Sequence, residues 1–174
     1  MQVYDWQAIV TEHGPAVWQT AYRLLGNHSD AADCFQETFL AAFEFSRRQP
    51  VRHIPGLLVR FATRRAIDRL RQRTRQEQYR QCGSDAACSA SACDPASEAQ
   101  TRELSHQLRR ALAELPPREA KAFCLRYFSE LSYRDVAREL NIGTSAAGVL
   151  LHRAKVRLRE ILNAEELETN EVSP

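Results

Sequence analysis

Eleven arginines stand between Ser46 and Arg80 against only Asp68 and Glu77, a net +9 in one short stretch. Within it Arg60, Arg64 and Arg71 recur at helical spacing and share one side of a helix. Guanidinium groups so arranged neutralise phosphates and release counterions. A second basic block, residues 118–159, carries nine cations against four acids. The remainder is acidic: residues 1–45 sum to −5, 81–117 to −2 and 160–174 to −5, so the overall +2 averages over segregated charge. Two basic blocks in a near-neutral chain point to a polyanion held at two places, with acidic surface left for another partner.

The N-terminal acids are also patterned. Asp33, Gln36, Glu37 and Glu44 fall on one helix face and offer acceptors to arginine donors. No catalytic constellation accompanies them. His13, His28, His53, His106 and His152 have no nucleophile or carboxylate at a catalytic spacing nearby. Cys82, Cys88 and Cys93 match no common zinc pattern, so neither a metal nor a cofactor is expected.

Helices must position these groups. Pro15 opens an amphipathic run through Val17, Trp18, Ala21, Leu24 and Leu25, and Gly26 with Asn27 stops it. Ser29 or Asp30 caps the next helix, whose inner face is Phe35, Phe39, Ala42 and Phe43. Two prolines make Arg47 to Pro55 a loop. Gly56 to about Gln78 then reads as one long helix, with Leu57, Leu58, Phe61, Ile67 and Leu70 inward. From Cys82 to about Ala99 the composition has no hydrophobic stripe and reads as a tether. Helices resume at Leu104 to Leu115 and Arg118 to Phe128.

Ser132 and Asp135 have capping-box spacing and open a short helix with Val136, Ala137 and Leu140 inward. Asn141, Ile142 and Gly143 turn the chain. A second helix follows from Thr144 or Ser145, with Ala147, Leu151, Ala154 and Leu158 as its buried stripe. This is a helix-turn-helix pattern, whose second helix enters the major groove. Ser145, Ala146, Gly148 and Val149 would face base edges, with Arg153, Lys155 and Arg157 nearer the backbone. The fold expected is all-α: two small helical domains, residues 1–80 and 101–163, joined by a flexible linker at 81–100 and followed by an acidic tail at 164–174. The absence of a long apolar run and of a leader-like N-terminus points to a cytoplasmic protein without membrane insertion, and five cysteines without paired spacing fit a reducing compartment.

Three separated motifs resemble the extracytoplasmic-function group of bacterial RNA polymerase sigma factors. Asp30-Ala-Ala-Asp-Cys-Phe-Gln-Glu-Thr-Phe-Leu40 resembles the polymerase-binding helix of sigma domain 2, and Phe61-Ala-Thr-Arg-Arg-Ala-Ile-Asp-Arg-Leu-Arg71 its promoter-reading helix. Leu112-Ala-Glu-Leu-Pro-Pro-Arg-Glu119, Leu131-Ser-Tyr-Arg-Asp-Val-Ala137 and Leu151-His-Arg-Ala154 resemble sigma domain 4.

The resemblance implies a non-enzymatic factor that binds core polymerase, melts and reads a minus-10 element, and reads a minus-35 element. Asp33, Gln36 and Glu37 would dock on the clamp helices of the largest polymerase subunit, and the second-largest subunit would be a further contact. Arg47, Arg48, Arg52, His53, Arg60, Arg64 and Arg71 would meet the melted minus-10 strand. Arg118, Arg134, Thr144, Ser145, Ala146, Gly148, Val149, His152, Arg153 and Lys155 would meet duplex minus-35 DNA. An anti-sigma factor is an optional partner. Leu57 and Arg64 stand where relatives usually carry tryptophan and asparagine, and Gly148 and Leu150 where they often carry cations, which weakens direct base readout. The alternative is a stand-alone helix-turn-helix regulator whose N-terminal half is a dimerisation or sensor domain.

Overall fold

A computed structural model describes residues 4–81 and 96–171. Seven helices follow in order: α1 (Trp6–Leu25), α2 (His28–Arg48), α3 (Ile54–Gln81), α4 (Ala96–Glu114), α5 (Pro117–Tyr127), α6 (Tyr133–Leu140) and α7 (Thr144–Glu171). No strand occurs among the described residues. The all-α expectation holds. Cys82, Cys88, Cys93 and most of the proposed linker lie outside the described residues.

Local chemistry sets the helix ends. Asp5 accepts the Ala8 N–H and opens α1, while Gly26, with φ of 72°, closes it in the left-handed region where glycine carries no Cβ penalty. Asn27 accepts the Asp30 N–H to cap α2. Ser132 accepts the Asp135 N–H at 3.2 Å and donates its hydroxyl to the Asp135 carboxylate at 2.5 Å. The Ser132 and Asp135 pair is therefore the capping device its spacing suggested.

Five boundaries differ from the sequence reading. Pro15 does not start a helix; it sits inside α1, which begins at Trp6. The segment from Arg47 to Pro55 is not all loop, because α2 runs to Arg48 and α3 begins at Ile54 with Pro55 in its first turn. A proline there gives up only an N–H that has no helical partner anyway. The helix α4 starts at Ala96, inside the stretch read as tether, and α7 continues to Glu171, through most of the stretch read as an acidic tail. Ala, Glu and Leu favour helix even where no apolar stripe marks one.

The apolar stripes do their assigned work. Val17, Ala21, Leu24 and Leu25 of α1, Leu57, Leu58, Ile67 and Leu70 of α3, and Ala147, Leu151, Ala154 and Leu158 of α7 are all buried. Phe43 departs from the expected inner face of α2: it is 41% exposed and lies against the edge of Trp6. Cys34 and Cys124 are buried free thiols; burial pushes Cys34 up to about 11 and raises Cys124 further. Neither presents a ready thiolate at neutral pH.

The two halves are in contact. One cluster joins Ala21, Leu24 and Leu25 of α1 and Ala66, Ile67 and Leu70 of α3 to Leu112 of α4, Leu115 just after it, Ala120 and Cys124 of α5 and Leu158 of α7. A second cluster fills the first half alone, around Val17, Phe39, Leu57 and Leu58. A third fills the helix-turn-helix, around Leu125, Val136, Ala137, Ala147 and Leu151, with Val59 of α3 packed against it.

Candidate functional site

On the outer face of α2, Asp33, Gln36 and Glu37 are exposed, as the helical spacing required. The structure adds their cationic partner. Arg69 of α3 donates through its two terminal nitrogens to Asp33 at 3.0 Å and Glu37 at 3.1 Å, and it also bonds the Asp30 carbonyl at 3.2 Å. Arg65 approaches Glu37 at 3.4 Å. The acidic face is thus held rigid from behind by two arginines. Asp33 and Glu37 retain side-chain exposures of 57% and 49%, so outward acceptor capacity remains. The sequence reading missed this pairing. Its signal was present: Arg65 and Arg69 on α3 repeat the four-residue spacing of Asp33 and Glu37 on α2.

The minus-10 candidates separate into two groups. Arg47 and Arg48 lie exposed in the last turn of α2, Arg47 over the Phe43 ring at 5.9 Å, and Arg52 is exposed in the connection to α3. His53 is exposed and accepts the Gly56 N–H on Nδ1 at 3.0 Å, so it also caps the start of α3. Arg60, Arg64 and Arg71 do not form one open stripe. Among the described residues Arg64 pairs only with its helix neighbour Asp68, at 3.8 Å, and it is 66% exposed. Arg60 lies over the Phe61 ring at 5.4 Å and reaches Glu139 of α6 at 3.6 Å. Arg71 donates to the Leu115 carbonyl at the end of α4.

The helix-turn-helix presents a cleaner surface. Thr144, Ser145, Ala146, Val149, His152, Arg153 and Lys155 are exposed along one side of α7, and Gly148 is half-buried among them. Nothing lies within 4 Å of the position a Cβ would take at Gly148, so the middle of this face is open. Arg153 has no ion-pair partner among the described residues. Lys155 sits over the Tyr127 ring at 5.1 Å, while Arg157 turns back to the buried Glu119 at 3.3 Å. Arg134 in the first turn of α6 and Arg118 at the start of α5 are exposed as well. Asn141, with φ of 53°, makes the left-handed turn that sets α6 and α7 at their angle. Arg126, which no sequence signal singled out, braces this unit: it donates to the Leu131 carbonyl at 3.0 Å and lies over the Tyr133 ring at 5.4 Å.

The arrangement is an exposed acidic face on α2, a strongly basic second layer on α3 and a helix-turn-helix whose second helix has an unobstructed outer face. No cluster of metal-ligating side chains occurs among the described residues. No helix among them is long and apolar enough to cross a membrane.

Known proteins resemble the chain over most of its length. Residues 9–76 match the family Sigma-70 region 2, and residues 105–158 match Sigma-70, region 4. The chain is 31% identical over 162 residues to the RNA polymerase sigma factor CarQ of Myxococcus xanthus, covering 92% of this chain and 90% of that protein. It is 28% identical over 168 residues to the ECF RNA polymerase sigma factor SigW of Bacillus subtilis, covering 88% of this chain and 87% of that one. The ECF RNA polymerase sigma factor SigE of Mycolicibacterium smegmatis is 29% identical over 165 residues; the match covers 95% of this chain but spans only 64% of that protein's length. Two solved structures share the fold. RpoE of Bartonella quintana, solved with the anti-sigma factor NepR, matches with a TM-score of 0.56 and 22% identity over 92% of this chain and 98% of that one. CnrH, solved with the cytosolic domain of CnrY, matches with a TM-score of 0.58 and 20% identity over 91% of this chain and 88% of that one.

Proposed function

Because the chain belongs to the extracytoplasmic-function family of RNA polymerase sigma factors, we propose that it binds core polymerase and directs promoter-specific initiation. The observation that carries this is the presence, in one chain and in order, of the region 2 and region 4 families. A stand-alone regulator would account for the helix-turn-helix but not for region 2, so that alternative is not favoured.

Asp33, Gln36 and Glu37, backed by Arg65 and Arg69, form the docking face for the polymerase clamp helices; the second-largest polymerase subunit is a further contact. Acceptors fixed in place lose less entropy when an arginine-rich partner arrives. Arg47, Arg48, Arg52, His53, Arg60, Arg64 and Arg71 bind the melted minus-10 strand through its phosphates, where each neutralised charge adds to the salt dependence of binding. The exposed first turns of α7, with Arg118 and Arg134 beside them, read duplex minus-35 DNA. The chain itself supplies no bond-making chemistry, which belongs to the polymerase, and it works in the cytoplasm. An anti-sigma factor is a further partner, of the kind with which RpoE of Bartonella quintana was solved.

Reconstitution with core polymerase tests the reading. The holoenzyme should select a two-part promoter motif from a random library and give specific run-off transcripts. Tight duplex binding without polymerase, and no stimulated transcription with it, would return the protein to the regulator class.

A further inference from the structure

A cleft of about 220 Å³ opens between α3 and α5, and its walls carry four cations: Arg60 and Arg64 of α3, Arg118 and Lys121 of α5. Glu139 of α6 is the one acid among its lining residues, and Arg60 faces it at 3.6 Å. Arg64 lies 3.8 Å from Asp68. Arg118 and Lys121, three residues apart and so on one side of α5, have no ion-pair partner among the described residues. Their position is unfavourable for cations. Arg118 sits in the first turn of α5, where the helix dipole favours an anion, and Pro116 gives that turn no side-chain cap.

The inner wall supplies a second observation. Thr63 of α3 lines the cleft, is only 1% exposed, and its hydroxyl oxygen is buried without a hydrogen-bond partner among the described residues. A hydroxyl in that state carries a desolvation cost that an incoming oxygen would relieve. Leu125 and Leu140 beside it make part of the wall apolar. The site is therefore a recess with a polar group inside and cations around it, and its volume admits a small molecule while excluding a duplex.

We propose that this cleft is a binding site for a small molecule carrying a diphosphate, gripped by Arg118 and Lys121 from α5 and by Arg60 and Arg64 from α3, with the Thr63 hydroxyl completing the set. Four cations against Glu139 leave an excess of three positive charges, and two linked phosphate groups carry about −3 near neutral pH. Guanidinium forks match phosphate oxygens, and the lysine adds a point charge. The site does not depend on the promoter reading, because Thr63 and Lys121 have no part in it.

Isothermal titration of sodium pyrophosphate into the free full chain, at constant ionic strength, tests the site and should show saturable one-to-one binding. Lys121→Met should weaken it about tenfold, the worth of one charge-assisted hydrogen bond. Arg75→Met removes the same charge from an exposed position of α3 outside the cleft and should change it by less than about twofold. Thr63→Val should weaken it about threefold, while the melting temperature without ligand holds or rises because the unpartnered hydroxyl is gone. Circular dichroism checks that each variant folds, with Lys121→Gln in reserve should Lys121→Met not fold. Tighter binding of ADP than of pyrophosphate would identify the ligand as a nucleotide, and the reverse order as a free diphosphate; either upholds the site. Absence of saturable binding by both probes would overturn the proposal. So would equal losses from Arg75→Met and Lys121→Met, or sulfate binding as tightly as pyrophosphate. If neither probe binds but Lys121→Met weakens single-stranded DNA binding, the cleft belongs to the promoter surface and the proposal falls.

Discussion

The helices α3 and α7 look alike in sequence, each apolar inside and arginine-rich outside, yet their cations are used differently. Along α3, Arg60, Arg64, Arg65, Arg69 and Arg73 all have carboxylate partners, and Arg71 has a carbonyl. On the exposed face of α7, Arg153 has no ion-pair partner among the described residues, and Lys155 lies over the Tyr127 ring. Net charge therefore overstates the free cation supply of the first block. Much of the +9 is consumed in fixing α2 to α3 and one half to the other, and the smaller +5 block keeps the outer face of α7 open.

The inner faces should behave alike, and this is the largest effect. Ile67→Ala in α3 and Leu151→Ala in α7 remove fully buried side chains, and each should cost about 2–5 kcal/mol in denaturant unfolding. A cost below about 1 kcal/mol for either would mean that its helix is not anchored as described.

The outer faces should then diverge. Arg69→Ala strands Asp33 and Glu37 and removes the bond to the Asp30 carbonyl, so it should cost about 1–2 kcal/mol, moderated by the solvent exposure of the two acids. Arg153→Ala should change stability by less than about 0.5 kcal/mol. It should instead weaken duplex binding by the holoenzyme across all sequences and lower the salt slope by about 1. Equal stability losses from the two substitutions would erase the contrast.

What the sequence made legible follows the same line. Periodicity found every inner face except that of Phe43, because burial is a property of one helix and its register. It located the helix-turn-helix through Ser132, Asn141 and Gly143, where turn chemistry is local. It identified Asp33, Gln36 and Glu37 as one surface but not their attachment to Arg69, which depends on how α2 lies against α3. Arg71 and Glu139 were beyond reach for the same reason: their partners are set by packing between halves, and no local pattern encodes that. The misplaced starts of α1, α3 and α4 arose where proline was read as a barrier or where a helix lacked an apolar stripe.

The capping pair gives a smaller effect on α6, the helix that sets the angle of α7. Ser132→Ala removes an N-cap and should cost about 1 kcal/mol. The hydrogen bond from the Ser132 hydroxyl holds the Asp135 carboxyl below its ordinary range. A carboxylate depressed in the folded state stabilises above its unfolded pKa, and that contribution disappears as pH falls through the lowered value. In Ser132→Ala the Asp135 titration, followed by NMR, should move upward and the acid sensitivity of unfolding should shrink. An unmoved titration would show that the neighbouring arginines, not the cap, hold the group down.

Gly148 offers the finest discrimination, because it lies on the open face of α7 and carries no steric reason to be glycine. Nothing stands within 4 Å of its would-be Cβ, and its backbone does not occupy the left-handed region. Gly148→Ala should therefore stabilise by about 0.5–1 kcal/mol, the helix-propensity difference between the two residues. If close approach of the α7 backbone to DNA is what Gly148 provides, the same methyl should weaken minus-35 binding even as melting temperature rises. Gains in both stability and affinity would instead show that the glycine only softens the helix, and that readout rests on its neighbours Ser145, Val149 and Arg153.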